Sequence, residues 1–438
     1  MERYSEYKDS GVKWLGEIPK GWGNSKLKYT GELICGGTPS TSNKDYWIGD
    51  IPWMQSGKVH FKHITIDDID KYISKNALKE SSTKMVRKNS TVLAITGATC
   101  SNIGFLTFNS TINQSVIGIE NNMNYLSLYI YYFMVSQKKQ ILFHQSGGAQ
   151  GGVNKQEVEN LHIPKLPLKE QEQIVAFLDD KTAKIDDLLA KTTSKIALLK
   201  EKRTALINHC VTKGLNPNAP MKDSGVELIG EIPSGWKMIK LTYLTSIITC
   251  GHAATPEYVE KEIGVPFLSA LNCRPFKMNL SKYKYIKKDL HEKLIKNRKP
   301  IKGDILITRV GAGIGQTCLV DIDFEFSIYV SLTHLRLNEK ANGRYMIYFF
   351  NSDICQIMNN EGTVSAGGQG NLNVSNLEKH RVPTPSLFEQ NEIAYYLDEQ
   401  ISKINTTISI EEKRIELLKE YRQSLISNVV TGKIKVCN

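Results

Sequence analysis

The chain says nearly everything twice, and this repetition constrains its fold more than any other feature of its 438 residues. Lys8-Asp9-Ser10-Gly11-Val12, followed by Gly16-Glu17-Ile18-Pro19 and Gly21-Trp22, returns 214 positions later as Lys222-Asp223-Ser224-Gly225-Val226, Gly230-Glu231-Ile232-Pro233 and Gly235-Trp236. The same spacing pairs Ile51-Pro52-Trp53 with Val265-Pro266-Phe267 and Gly97-Ala98 with Gly311-Ala312. Later landmarks lie 219 positions apart: Gln150-Gly151 with Gln369-Gly370, Asn154 with Asn373, Pro164 with Pro383, and Glu170-Gln171 with Glu389-Gln390. Two copies of one domain are expected, differing mainly between their shared landmarks. One scaffold that presents two unlike surfaces to a two-part target would have this layout.

After Pro164 the glycine-rich, turn-punctuated strand pattern gives way to about 40 residues without proline or glycine, ending at Gly214. A second such run starts near Ser386, which has capping-box spacing to Glu389, and ends before Gly432. Pro167 takes the place of Ser386 in the first copy, and proline suits a helix start equally well. Alternate steps of four and three along the second run give Leu397, Ile401, Ile404, Ile408, Glu411, Ile415, Leu418, Arg422, Leu425 and Val429. The first run gives Leu178, Thr182, Ile185, Leu189, Thr192, Ile196, Leu199, Arg203, Leu206 and Cys210. Both are heptad-type seams that ask for a helical mate, although an amphipathic stripe also packs on its own globular domain. At 1.5 Å per residue each helix would run roughly 60 Å, longer than a domain of this size is wide, so the mate is expected to be the other copy. A pseudo-two-fold relation makes the pair antiparallel, with a globular domain at each end. Polar seam residues recur at matching places, Thr192 with Glu411 and Arg203 with Arg422, either to fix register or to dock another protein's helices.

The expected architecture is α+β: two homologous globular α/β domains at 1–165 and 214–385, separated by a long antiparallel two-helix coiled coil made from 166–213 and 386–438. The Asn- and Pro-rich link Lys213-Gly214-Leu215-Asn216-Pro217-Asn218-Ala219-Pro220 leads back into the second copy. Position 1 corresponds to the end of that link, so the repeat is circular in character.

A formal net charge of +11 favours a polyanionic partner. The eight cysteines show no Cys-x-x-Cys pairing and read as scattered reduced thiols. No apolar signal-peptide core is visible at the N-terminus, and the greasiest stretch, near Tyr125 to Val135, is too short to cross a bilayer. A cytoplasmic protein with no membrane partner is expected.

Gly311-Ala312-Gly313-Ile314-Gly315 follows the apolar Asp304-Ile305-Leu306-Ile307-Thr308 and invites a nucleotide-loop reading. Its spacing is not the dinucleotide fingerprint, no Gly-Lys-Ser/Thr follows, and the other copy has only Gly97-Ala98-Thr99, so a tight turn explains it better. Walker loops, His-Glu-x-x-His, the Gly-x-Ser-x-Gly elbow and a methyltransferase Asn/Asp-Pro-Pro-aromatic run are all missing. Recognition is what remains, with no catalytic residue, cofactor or metal site in this chain. Candidate DNA-reading side chains in the turn-rich regions are Lys58, His60, Lys84, Arg87, Lys88, Asn113, Gln114, Gln145, Gln150 and Asn154 in the first copy. In the second they are Arg274, Lys277, Arg309, Gln316, His334, Arg336, Gln369, Asn371 and Asn373. Arg and Lys suit guanine edges and Asn and Gln suit adenine, while any one of them could equally contact phosphate or solvent.

The Gly-Glu-Ile-Pro-x-Gly-Trp opening, the Gln-Gly loop, and the Glu-Gln-x-x-Ile starts at Glu170 to Ile174 and Glu389 to Ile393 occur in order, twice, around two long helices, and the first copy adds Gly36-Gly37-Thr38-Pro39 with Tyr46-Trp47 and Ile51-Pro52-Trp53. This series resembles the specificity subunits of type I restriction-modification systems over essentially the whole chain. The resemblance implies two target-recognition domains, each reading half of an asymmetric bipartite double-stranded DNA sequence, with the helices as a ruler. It also implies a non-catalytic subunit that binds two methyltransferase subunits, which use S-adenosylmethionine, and two restriction subunits, which use ATP and Mg. Gln171, Arg203, Gln390 and Arg422 are the candidate partner contacts. The second copy departs from the pattern at Cys250-Gly251-His252, opposite Cys35-Gly36-Gly37, which leaves the path of that loop open. A stand-alone DNA-binding regulator would share the charge and the duplication, and a nucleotide-using enzyme would need phosphate at 311–315.

Overall fold

Two long helices, Leu168–Lys213 and Leu387–Val430, form where the runs without proline or glycine predict them. Each is followed by a glycine in the left-handed region, Gly214 at φ 76° and Gly432 at φ 75°, where a side chain would strain the backbone. The expected capping box forms only by half. The Glu389 N–H donates to the Ser386 hydroxyl at 3.3 Å, but the Glu389 carboxylate turns away to accept from the buried Trp236 indole at 3.0 Å. An indole N–H out of reach of water needs a partner more than an exposed backbone N–H does.

The structure is a computed structural model and describes residues 2–59, 63–143, 151–311, 313–361, 363–366 and 369–436. Its contacts divide the chain into two compact units, Met1–Thr193 with Lys413–Asn438, and Ser194–Glu412. The division runs through both helices, so each unit holds one globular domain and half of each helix. Within the first unit the helices run antiparallel, with Arg422 Nε and Nη2 bonded to the two Asp186 oxygens at 2.9 and 3.2 Å. Within the second, Lys195 pairs with Glu411 at 2.5 Å and Arg203 Nη1 donates to Asn405 at 2.8 Å. Much of the predicted seam is buried, including Leu178, Thr182, Ile185, Thr192, Ile196 and Cys210 on one helix, and Leu397, Ile401, Ile404, Ile408, Glu411, Leu425 and Val429 on the other. The stripes also enter the globular cores. Ile174, Leu178, Leu425 and Val429 join the first, and Ile207, Cys210, Ile393 and Leu397 join the second.

In the first unit a five-stranded sheet runs in the order Leu33–Cys35, Val116–Ile119, Ser90–Ala94, Ile103–Leu106, His63–Ile64. A four-stranded sheet runs Tyr72–Ile73, Ile51–Met54, Ser110–Ile112, Met85–Val86. The second unit keeps the plan with fewer strands: Thr245–Cys250, Leu332–Leu337, Ile305–Thr308, Thr317–Leu319 in one sheet, and Lys284–Lys287, Gly264–Leu268, Ser327–Ile328 in the other. The greasy stretch near Tyr125 is the buried helix Ser127–Ser136, matched by Gly343–Phe350. No helix among the described residues is long and apolar enough to cross a membrane.

The same polar links tie globular domain to helices in each unit. The Trp22 indole donates to Glu170 at 2.9 Å, as Trp236 does to Glu389. The Tyr129 hydroxyl donates to the Val430 carbonyl at 3.1 Å, and that of Tyr345 to Val211 at 3.2 Å. Tyr132 donates to Asp179 at 2.5 Å and Tyr348 to Asp398 at 2.8 Å, and burial, followed by the carboxylate bond, pushes both phenols well above their ordinary range. Gly432 packs on Pro19 and Trp22 as Gly214 packs on Pro233 and Trp236. The end of the second helix therefore meets the start of the first domain as the end of the first helix meets the second domain, which is the circular relation read from the sequence. Replacing Trp22 by Phe keeps an aromatic ring but removes the indole donor to Glu170, which retains its bond from Tyr4 at 2.6 Å. It should cost about 1–3 kcal/mol in urea unfolding, with Trp236→Phe costing a similar amount; an unchanged midpoint would show that the link is not stabilising.

Candidate nucleic-acid interface

In both units the loops that differ between the copies gather around the end of one strand. In the first, Ser90–Ala94 exits through Ile95, whose N–H donates to Ser115 at 2.9 Å and whose carbonyl accepts from Val153 at 2.9 Å. The turn holding Asn113 and Gln114 therefore lies on one side of the exit and the segment before Asn154 on the other. In the second, Arg309 takes the place of Ile95: its N–H donates to Ser331 at 2.9 Å and its carbonyl accepts from Leu372 at 3.0 Å. Beside it Gly311 has φ 91°, and residues 313–315 form a turn in which Gly315 N–H donates to Thr308 at 2.9 Å.

A second feature of this frame is a backbone crossing too close for a side chain. A Cβ on Gly36 would stand 2.2 Å from the Asn113 and Ile112 oxygens, and one on Gly251 would stand 2.3 Å from those of Ile328 and Tyr329. Gly37 N–H donates to Ile112 and His252 N–H to Ile328, each at 2.9 Å. The Cys250-Gly251-His252 loop thus keeps the path of Cys35-Gly36-Gly37 despite its different sequence.

Several candidate readers spend their polar groups inside the chain. His334 is fully buried and bonds Asp304 at 2.7 Å, while Arg336 holds the same carboxylate through Nε at 2.9 Å and Nη2 at 2.8 Å. Arg309 is buried, and its guanidinium bonds the Leu372 carbonyl at 3.0 Å, the Val330 carbonyl at 3.1 Å, Asn371 at 3.5 Å and Asn373 at 3.4 Å. It fastens the hairpin Thr363–Ala366/Gln369–Leu372 instead of reaching outward. Asn154, with no arginine to bond, caps the helix Lys155–Glu159 in a capping box with Glu157. Arg87 pairs with the buried Glu120 through one edge of its guanidinium, while its side chain as a whole stays exposed. The sequence reading set His334 and Arg336 among the turn-rich regions, whereas both lie in the strand Leu332–Leu337, where nothing in the local pattern signals their common buried partner Asp304.

Other candidates remain at the surface. Lys84, Lys88 and Gln114 are exposed in the first unit, as is Lys277 in the second, and Lys58 is half-buried in an ion pair with Asp70 at 3.2 Å. Arg274 and Lys277 face each other across the short ribbon Cys273–Arg274/Lys277–Met278, and the half-buried Gln316 has an Oε1 with no partner among the described residues. His60, Gln145, Gln150 and the Gln369 side chain lie outside the described residues.

The partner-contact candidates are also engaged internally. Gln171 is buried, accepting from Leu126 N–H at 2.8 Å and donating to the Asn124 and Leu166 carbonyls. Gln390 repeats this with Asn342 N–H at 2.7 Å and the Lys340 and Pro385 carbonyls. Arg203 and Arg422 bridge the helix pair, which is the register-fixing alternative. Apolar side chains that stand out from the helices include Phe388 and Tyr395 in the second unit, 71% and 73% exposed, with Leu198 and Ile410, and Leu417 and Tyr421 in the first. Sequence reading passed over them because they lie off the heptad frame.

The Asp304 cluster carries a pH signature. Burial alone would raise this carboxyl, but its bonds to Arg336 and then His334 outweigh it, and the net shift is downward. A depressed folded value means that stability is present above the ordinary carboxylate range, near pH 4, and is lost as pH falls through the folded value. Asp304→Asn should therefore cost about 3 kcal/mol at pH 7, and the gap to the native chain should narrow below about pH 4 in thermal unfolding. A gap independent of pH would contradict the assignment.

Residues 19–198 and 233–420 each match the type I restriction modification DNA specificity domain. Over 461 aligned positions the chain is 26% identical to the type I restriction enzyme MjaIX specificity subunit of Methanocaldococcus jannaschii, covering 99% of this chain and 97% of that one. It is 28% identical over 181 positions to the EcoR124I/EcoR124II specificity subunit of Escherichia coli, covering 40% of this chain and 41% of that one. Among solved structures, a chain from a study of complex assembly and conformational transition in the type I R-M system superposes with a TM-score of 0.75 at 16% identity, over 95% of this chain and 99% of that one. The HsdS subunit from Thermoanaerobacter tengcongensis gives 0.56 at 15%, over 95% and 98%.

Proposed function

Because the chain belongs to the type I restriction modification DNA specificity family, we propose that it is the recognition subunit of such a system, each unit reading one half of an asymmetric bipartite double-stranded DNA target. The observation that carries this reading is one frame with unlike loops. Asn113 and Tyr329 occupy the same place, their N–H groups bonded to Met54 and Leu268 carbonyls at 2.9 and 2.8 Å, and Ile95 is answered by Arg309. Equivalent positions with different donors and acceptors are what two different half-sites require. The long helices set the gap, which is counted and not read.

The chain itself is non-catalytic. Two methyltransferase subunits bring S-adenosylmethionine and two restriction subunits bring ATP and Mg; adenine methylation within a duplex requires extrusion of the base, and this subunit holds the DNA in register while that happens. Phe388 and Tyr395 on one stretch of helix, and Leu417 and Tyr421 on another, replace the internally bonded Gln171, Gln390, Arg203 and Arg422 as the contacts assigned to the methyltransferase subunits. The test is to co-express the chain with its methyltransferase subunit and measure DNA binding by the purified complex across a range of salt. The reading predicts a stable complex that prefers one gapped sequence over random DNA by at least about a thousandfold. A chain that forms no such complex yet binds one sequence tightly alone would be a stand-alone regulator.

A further inference from the structure

Beside the Gly36 crossing lies an open pocket of about 810 Å³, lined in part by Trp47, Trp53, Lys71, Tyr72, Asn113 and Gln114. The same place in the second unit holds only about 100 Å³, lined in part by Phe267, Ser269, Tyr283 and Tyr329. Strand pairing establishes the equivalence, since Trp53 stands opposite Thr111 as Phe267 stands opposite Ser327 in matching parallel ladders. The Phe267 and Tyr329 rings meet edge to face at 5.9 Å, so in the second unit aromatic side chains occupy the space that the first leaves open. The larger volume falls in the range of small-ligand sites, and the smaller one does not.

The walls of the larger pocket have a specific chemistry. Both indole N–H groups are already spent, Trp47 on the Ser40 carbonyl at 3.1 Å and Trp53 on the Gly37 carbonyl at 2.9 Å, so the rings offer π surface and no donor. They meet edge to face at 4.9 Å, which fixes the half-buried Trp47 against the buried Trp53. Thr38 donates its hydroxyl to Gln114 Oε1, which leaves the Gln114 amide nitrogen to donate elsewhere. Next to it, Asn113 lines the pocket, and its Oδ1, shut off from solvent and without a hydrogen-bond partner among the described residues, becomes an acceptor for a ligand when the side chain turns toward the pocket. At the rim, Asp70 is neutralised by Lys58 at 3.2 Å, while Lys71 lies 5.9 Å over the Trp53 ring. An aromatic platform, an adjacent donor and acceptor, and a cation at the mouth match a base face, a base edge and a phosphate.

We infer that the first domain takes one unstacked nucleotide of its half-site into this pocket, stacked on Trp47 and read by Asn113 and Gln114, while the second domain reads its half-site without such an insertion. This rests on the proposed DNA-reading role and adds to it a different mode of recognition in each half.

The test is an abasic scan on the complex of the full chain with its methyltransferase subunit. Each nucleotide of both half-sites, on both strands, is replaced in turn by an abasic residue, and affinities are compared for the native chain, Trp47→Ala and the surface change Gln114→Ala. Trp47→Ala should weaken binding to the intact target by about tenfold or more. At one position in the half-site assigned to residues 26–165, the abasic change should cost the native complex a similar factor and cost the Trp47→Ala complex almost nothing. Gln114→Ala, which leaves the buried wall intact, should show a smaller loss centred on the same position. A Trp47→Ala or Gln114→Ala penalty spread evenly over all positions, no penalty at all, or loss of the methyltransferase subunit in place of DNA affinity would overturn the pocket assignment alone. A native complex with no preference for any gapped sequence would overturn the DNA-reading role and this inference with it.

Discussion

Exchanging residues 26–165 for the corresponding segment of a homologous chain replaces one half of the methylated sequence and leaves the other half and the gap as they were. Lys26 stands opposite His162 in the antiparallel ribbon formed by Gly23–Lys26 and His162–Lys165, so the segment enters and leaves the unit at one place. The Trp22–Glu170 link to the helices lies outside it, while Leu126, Tyr129 and Tyr132, which bond Gln171, Val430 and Asp179 of the helices, lie inside it and must be matched by the incoming segment. The Asn113–Gln114 turn, the Ile95 exit and the segment leading to Asn154 all lie inside it. Each lost base-pair match costs about 1–3 kcal/mol, so a half-site of several bases shifts discrimination by several orders of magnitude. Methylation mapping reads the result directly, and a change in both halves would contradict independent reading.

Removing one matched heptad from each helix should shorten the gap. Deleting Thr193–Leu199 with Ile408–Arg414 respects the pairing direction seen at Lys195–Glu411 and Arg203–Asn405, because the two segments lie side by side in the antiparallel pair. Seven residues remove about 10.5 Å of helix, close to the rise of three base pairs at about 3.4 Å each. The preferred gap should fall by about three base pairs with both half-sites retained. An unchanged gap with both halves still methylated would remove the ruler from the account.

The large features of this fold were legible because they depend on periodicity and repetition. A heptad stripe sustained over two runs of about 40 residues has few fates, and its burial at Ile185, Ile196, Ile404 and Ile408 follows from the pattern alone. Individual side chains at the candidate interface were much less legible, for a physical reason. Whether Arg309 faces a base or a hairpin carbonyl depends on what the fold brings within 3 Å of it, and Leu372 is 63 positions away in sequence. Asp304 and His334 pose the same problem across two strands. Asn154 and Asn373 share a register position, yet one caps a helix and the other bonds Arg309, because the residue opposite them changed from isoleucine to arginine. Trp53 was visible only as a landmark of the repeat and Trp47 only as part of the family resemblance, and nothing in their spacing showed that Thr38 and Gln114 would close around the same space.

The most direct test of the central claim, that two units on one frame read two unlike half-sites, is to express the chain with its methyltransferase subunit and map modified adenines across the host DNA by single-molecule sequencing. The account predicts one asymmetric motif, two short specified halves separated by a gap of fixed length and indifferent sequence, present only when this chain is present. A continuous or palindromic motif, or methylation that does not depend on the chain, would contradict it.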